Sequence, residues 1–250
     1  MIIIKTMEEI EKMREAGQIL ANIHKEIAKM IRPGISTMEI EEFVESYLKK
    51  HGATAEQKGY HGYPYATCAS INDEICHGFP RKESLKNGDL ATIDMVVNLD
   101  GYLADSAWSY GVGELSEDAQ KLLDTTRESL YKGIEQAIVG NRIGDISHAI
   151  QSYVEPKGYS VVRDFVGHGI GKSMHEDPQV PHYGTPGRGP RLSEGMVLTI
   201  EPMINMGTFR MKIDDNQWTA RTVDGELSAQ FEHTIAITKE GPVILTNQND

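Results

Sequence analysis

Two stretches of the chain repeat, and each ends on an acid. Residues 85–94 read Leu-Lys-Asn-Gly-Asp-Leu-Ala-Thr-Ile-Asp, and residues 192–201 read Leu-Ser-Glu-Gly-Met-Val-Leu-Thr-Ile-Glu. At an offset of 107, Leu85/Leu192, Gly88/Gly195, Thr92/Thr199 and Ile93/Ile200 are identical, and Asp94/Glu201 keep the charge. Each acid has a second one downstream, Asp105 after Asp94 and Glu232 after Glu201. Histidines precede both strands: His77 in Cys76-His77-Gly78, and His168 in Gly167-His168-Gly169-Ile170-Gly171, with His175 following. Carboxylates brought face to face repel, so a shared cluster calls for a cation. Four carboxylates and one imidazole suit Mn, Fe, Co or Zn rather than a structural tetrathiolate site. Such a set could neutralise two divalent ions about 3.5–4 Å apart, which lower the pKa of bound water to near 7. Glycine on both sides of His168 would let the backbone pass close to a metal or substrate. His175-Glu176 lacks a second histidine four residues on, so it is not the zincin motif.

The elements around these residues also repeat. Thr6-Met7-Glu8-Glu9 and Ser36-Thr37-Met38-Glu39 are capping boxes. The first opens a helix with apolar residues from Ile10 to Ile31, stopped by Pro33-Gly34; the second opens one that ends before Gly52. Residues 117–139 and about 145–157 repeat the helix pair, and Ile40/Ile146, Ser46/Ser152, Tyr47/Tyr153 and Gly52/Gly158 match at an offset of 106. Strands follow each pair. The pattern predicts an α+β protein of one domain over 1–250, its related halves about 1–112 and 113–250, with a central sheet and helices on one face. Residues 90–97 and Tyr102 to Tyr110 read as a hairpin. A loop centred between Leu99 and Asp100 would put Asp94 directly opposite Asp105, on one face. Glu232 falls in a strand predicted over Ala229 to Thr238, sharing a face with Gln230 and Thr234. A solvated open face is the competing reading for both pairs.

Composition narrows the classes. The 37 acids exceed the 25 bases by 12 charges, which argues against a broad nucleic-acid footprint. The two cysteines, Cys68 and Cys76, make no disulfide framework and fit a reducing compartment. Met1-Ile2-Ile3-Ile4-Lys5 has too short an apolar run for a signal peptide, and no stretch approaches a membrane span. A cytoplasmic protein is expected.

With these residues in hand, the chain closely resembles the type I methionine aminopeptidases, of the pita-bread metallohydrolase fold. The carrying motifs are Ile71 to Gly78, Ile93-Asp94, Asp105-Ser106, Gly167 to Gly171, His175-Glu176, Pro178 to Gly184, Ile200 to Met203 and Gln230 to His233. The resemblance implies that Asp94, Asp105, His168, Glu201 and Glu232 bind two divalent metals, with Asp105 and Glu232 bridging. It implies that activated hydroxide attacks the carbonyl after the initiator methionine and that Glu201 shuttles the proton. His175 would bind the carbonyl oxygen, and His77 would position the substrate backbone. Tyr60, Tyr63, Cys68 and Trp218 match positions lining the methionine pocket, where aromatic and thiol surfaces suit a thioether. It further implies nascent polypeptide N-termini as substrate, a small second residue, transient ribosome contact and a monomer. Ala104 and Met174 depart from the commonest family residues and bear on pocket shape. The missing zinc-binding extension and helical insertion point to a bacterial-type member. An X-Pro aminopeptidase or prolidase shares fold and ligands, and a binding module of the same fold is the non-enzymatic reading.

Overall fold

In the computed structural model, which describes residues 1–249, both capping boxes form. Thr6 Oγ1 accepts the Glu9 N–H at 3.2 Å while the Glu9 carboxylate accepts the Thr6 N–H at 3.0 Å. Ser36 and Glu39 do the same at 3.2 and 2.8 Å. The helices they open are α1 (Met7–Met30) and α2 (Thr37–Lys50). The second pair is α3 (Glu117–Glu135) and α4 (Ile143–Val154). Helix α3 stops four residues short of the predicted 139, because the chain turns towards Gly140, which takes φ 96° and donates its N–H to Leu192 O. Helix α4 begins two residues earlier than predicted and gives way to a 3-10 turn, Glu155–Lys157, closed by Gly158 in the left-handed region.

The strands Leu90–Leu99 and Tyr102–Gly111 form a long antiparallel hairpin. The other edge of Leu90–Leu99 pairs with Thr54–Ala55 and then with Cys68–Ile71. A second sheet centres on Val197–Ile200, between His233–Thr238 and Gly167–Gly169, with Gly241–Ile244 and Glu176–Val180 at its edges. Two three-stranded sheets complete the set, one around Met203–Asn205 and one around Ala220–Thr222. Alternation along each strand separates core from site. Ile93, Met95 and Val97 pack with Leu20, Ile23 and Ile27 of α1 and Ile40 and Val44 of α2. Leu198, Ile200, Ile235 and Phe231 pack with Leu122, Leu130, Ile146 and Ile150 of α3 and α4. Phe231 is 1 % exposed and meets Trp108 edge-on at 4.8 Å. Truncating so buried a ring costs about 3–5 kcal/mol.

Two expectations about register need correction. Asp94 is not directly opposite Asp105: Asp94 pairs with Ala107 and Asp105 with Val96. The loop is Asp100-Gly101, with φ 51° and 85°. A two-residue turn with both central residues at positive φ matches the strand twist, and Asp-Gly supplies it readily. The shift is two residues, so both acids keep one face and meet on the diagonal. The predicted strand from Ala229 to Thr238 is also broken. Ser228–Gln230 and His233–Thr238 are separate, with Phe231 and Glu232 between them.

The break lies where the two long sheets meet. Glu232 donates its N–H to Ala107 O at 2.9 Å, and Ser106 Oγ donates to Glu232 O at 2.8 Å. Thr234 Oγ1 accepts the Asp105 N–H and donates to Asp105 O. Ser109 Oγ treats the N–H and C=O of Gln230 the same way. Hydroxyls thus replace a continuous ladder at this seam, which satisfies the buried backbone groups and brings Asp105 and Glu232 together.

Candidate metal centre and pocket

Three of the sequence-predicted ligands converge as one group. Asp105, His168 and Glu232 place donor atoms within 4.8 Å of one another, and all three are buried. His168 Nε2 lies 3.6 Å from Asp105 Oδ2 and 3.5 Å from Glu201 Oε1. His168 Nδ1 lies 2.9 Å from Gly169 O. A carbonyl only accepts, so Nδ1 carries the proton and Nε2 presents its lone pair to the carboxylates. Asp94 shares the strand face with this group and lines the same cavity as Asp105, His168 and Glu201.

Electrostatics marks the cluster as incomplete without positive charge. Burial pushes the Asp94 carboxyl up to about 7. Burial, with the charge of Asp94, pushes Glu201 up to about 8. Asp105 and Glu232 are driven well above the usual carboxylate range by burial and then by their acidic neighbours. Asp105 Oδ1 and both Glu232 carboxylate oxygens are buried without a hydrogen-bond partner. Buried oxygens of this kind are costly unless paired or coordinated. Lone pairs on four acids and one neutral imidazole fit divalent cations.

Glu201 is held from three directions. Thr199 Oγ1 donates to Oε1 at 2.9 Å and Gln230 Nε2 donates to Oε2 at 3.3 Å. Its N–H donates to His182 Nε2 at 3.0 Å. Pro202 follows and has no N–H, so the strand cannot continue its ladder there. Thr199 Oγ1 also accepts the His168 N–H at 3.0 Å, which couples the two donors. The glycines around His168 serve a different purpose from the one expected. A Cβ on Gly167 would lie 2.4 Å from Thr199 O, and one on Gly169 would lie 2.2 Å from Asp177 O. They admit neighbouring strands; Gly167–Gly169 is itself a strand.

Above the cluster opens a cavity of about 170 Å³. Every predicted pocket and catalytic residue lines it: Tyr60, Tyr63, Cys68, His77, His175 and Trp218. Tyr63 meets Trp218 edge-on at 5.1 Å, and its hydroxyl lies 2.8 Å from Thr67 O. Both cysteines are free and buried, and burial pushes their thiols up, which makes them inert apolar wall. His77 adopts φ 58°, uncommon for a residue with a Cβ, and its ring meets Phe165 edge-on at 5.2 Å. Burial lowers His77 to about 4, so it is neutral near pH 7. Burial and then His61 lower His175. Its Nδ1 lies 3.1 Å from the Tyr60 hydroxyl, and its ring stands against His168 at 4.4 Å.

Two participants were given no role by the sequence reading. His182, inside the Pro178 to Gly184 motif, is fully buried and accepts the Glu201 N–H. Gln57 lines the cavity; its Oε1 accepts the Val96 N–H at 2.9 Å and its Nε2 reaches Asp94 O at 3.4 Å. It fills the gap in the ladder between Thr54–Ala55 and Cys68–Ile71. The position of Thr199, though not its role, did leave a trace, since it is an identity of the repeat.

An acid and histidine cluster where two sheets meet, beneath a pocket lined by aromatic and histidine side chains, is the arrangement of a metal-dependent hydrolase. Residues 11–239 match metallopeptidase family M24. The methionine aminopeptidase 1 of Bacillus subtilis is 54 % identical over 98 % of this chain and 99 % of its own. The crystal structure of methionine aminopeptidase from Thermotoga maritima superposes with a TM-score of 0.97 at 47 % identity, covering 99 % of this chain and 100 % of that one. An Xaa-Pro dipeptidase from Bacillus anthracis shares the fold at a TM-score of 0.79 and 25 % identity, but this chain spans only 62 % of it. The chain belongs to metallopeptidase family M24, with its high-identity relatives among the methionine aminopeptidases, and its fold is the pita-bread fold, as the motif resemblance implied.

Proposed function

We propose that this chain is a metal-dependent aminopeptidase that removes the initiator methionine from nascent proteins and peptides, preferring a small second residue. The observation that carries this reading is a single cavity. Its lining includes Asp94, Asp105, His168 and Glu201, with Glu232 grouped beside Asp105 and His168, and its walls include Tyr63, Cys68 and Trp218. The names of its high-identity relatives support it.

In this reading Asp94, Asp105, His168, Glu201 and Glu232 would hold the divalent ions; Mn, Fe, Co and Zn all suit the donors. Bound divalent ions supply an activated water and a Lewis acid for the scissile carbonyl. Glu201 takes the proton and delivers it to the leaving amine, a general acid–base role. Thr199 and Gln230 hold its two oxygens during that transfer. Tyr60 donates to His175 Nδ1, which leaves Nε2–H to donate to the carbonyl oxygen as it gains charge. His77, neutral and aimed by its left-handed backbone, positions the substrate main chain. Tyr60, Tyr63, Cys68 and Trp218 enclose the methionine side chain.

The reading extends to one catalytic domain over 1–250 with halves about 1–112 and 113–250, acting as a cytoplasmic monomer that meets nascent chains at the ribosome. Among the described residues, no helix is long and apolar enough to cross a membrane. The test is release of methionine from a Met-Gly-Met peptide by protein stripped with a chelator and reloaded with each metal. Activity should vanish on stripping, return on reloading and leave Xaa-Pro peptides intact. Cleavage of Xaa-Pro instead would replace this reading with the prolidase one. Metal content of the anaerobically purified protein, paired with activity, identifies the working ion and its number.

A further inference from the structure

One buried ion pair stands next to the site without a role in the reading above. Lys5 Nζ pairs with Glu176 Oε2, and the two side chains are only 5 % and 6 % exposed. Glu176 is the residue directly after His175. Lys5 precedes α1, so the pair joins residues 171 positions apart.

Two turns are shaped around Lys5. A Cβ on Gly171 would lie 2.6 Å from Lys5 Cε and 2.7 Å from Glu176 Oε1. Gly171 closes the glycine-rich motif that begins at Gly167, and it leads towards His175. A Cβ on Gly195 would lie 2.8 Å from Lys5 O, and Gly195 O accepts the Lys5 N–H at 2.8 Å. Gly195, at φ 86°, opens the turn into the Glu201 strand. Lys5 therefore sits where the His175 segment and the Glu201 segment come together.

His175 needs an anchor from its backbone. The residue is exposed overall, and its ring meets Tyr60, itself exposed, and the His168 ring. Stability alone does not call for a buried charge pair, since apolar residues of similar volume often pack as well. An ammonium–carboxylate pair adds direction, because it fixes where the Glu176 side chain lies.

We propose that Lys5 is a positioning residue for His175, acting through the buried pair with Glu176. This rests on the reading of His175 as the carbonyl-binding group. A hydrogen bond that strengthens only as charge develops acts on kcat more than on KM.

The test uses full-length, metal-loaded protein with a Met-Gly-Met peptide. Lys5→Met/Glu176→Met removes the tie and leaves no unpaired charge. It should keep metal content and Tm near wild type, lower kcat about tenfold and leave KM roughly unchanged. Combined with His175→Ala, it should cause no further loss, because the tie acts only through that ring. Should the double-methionine protein fold poorly, Lys5→Met/Glu176→Gln removes the same tie, again without a buried charge, and is read the same way. A wild-type kcat in the folded double variant overturns the proposal, and so does a full additive loss on top of His175→Ala. If His175→Ala by itself leaves kcat unchanged, the reading of His175 fails, and the positioning proposal fails with it.

Discussion

Thr92 and Thr199 each stand two residues before the acid of the repeated phrase, but their hydroxyls go to different places. Ser109 Oγ lies 2.6 Å from Thr92 Oγ1 and donates its own hydrogen to Gln230 O, so Thr92 donates to Ser109. That bond belongs to the seam. Thr199 instead bonds the carboxylate of Glu201 and the N–H of His168. The strands differ in the same sense. The first runs five residues past Asp94, to Leu99, and Asp94 pairs with Cys68 and Ala107 on its two sides. The second stops at Ile200, and Glu201 falls outside it with Pro202 behind it. One copy holds its acid in a rigid ladder. The other releases its acid from the ladder and surrounds it with polar contacts. A fixed carboxylate suits chelation; one supported by adjustable hydrogen bonds suits proton movement as well.

The sharpest way to break this division is to remove each charge in turn. Glu201→Gln is expected to lower kcat by about 10²–10⁴ even at saturating metal. Asp94→Asn should chiefly weaken metal binding, so that excess metal restores much of its activity. Methionine release followed across a metal titration checks both. Equal rescue of the two variants would erase the distinction.

Stability against pH is the next largest effect, and it is read on metal-free protein. Asp94 sits at about 7 when folded, against about 3.9 for an unfolded aspartate. The native state therefore keeps a proton that the unfolded state releases. Stability from this group is present below pH 4 and is lost as pH rises to 7. Asp94→Asn should accordingly raise the Tm of the metal-free protein at pH 8 and change it little at pH 4. Thermal melts of chelated protein at the two pH values test this, and a lower Tm at pH 8 would contradict the burial cause.

The smallest effects concern the two threonines. Thr199→Val should weaken metal affinity about 10–100-fold, as loss of a bond to a ligand generally does. Thr92→Val should leave metal affinity alone and cost about 1 kcal/mol of stability. Calorimetric metal titrations beside denaturant melts separate the outcomes. A metal defect in the Thr92 variant would mean that the seam itself governs the cluster.

Much of this arrangement could be read from local sequence. Capping boxes at Thr6 and Ser36 act over three residues, so the starts of α1 and α2 were legible. The repeat also paired segments that prove to be built alike. Gly34 N–H bonds Leu85 O as Gly140 N–H bonds Leu192 O, and isolated bridges join Ser36 to Ser84 and Arg142 to Arg191. Where the reading slipped, the cause lay in backbone twist or in partners far along the chain. The Asp100-Gly101 turn moved the hairpin register by two residues. The break at Glu232 exists because Ser106, Ser109 and Thr234 bond across the seam. Helix α3 ended early because Gly140 is drawn to Leu192.

Residue types and their periods already determined that four acids and a histidine would be carried on or beside strands backed by helices. Donor chemistry belongs to the side chain, and alternation belongs to the strand, so neither needs the rest of the chain. Only the tertiary structure decided which acid stays in a ladder and which is freed beside Pro202, that His182 and Gln57 brace them, and that Lys5 reaches Glu176. Those outcomes depend on hydrogen bonds and a charge pair between residues from about twenty to 171 positions apart. Burial then sets their strength, because low dielectric raises both the value of a satisfied polar contact and the cost of an unsatisfied one.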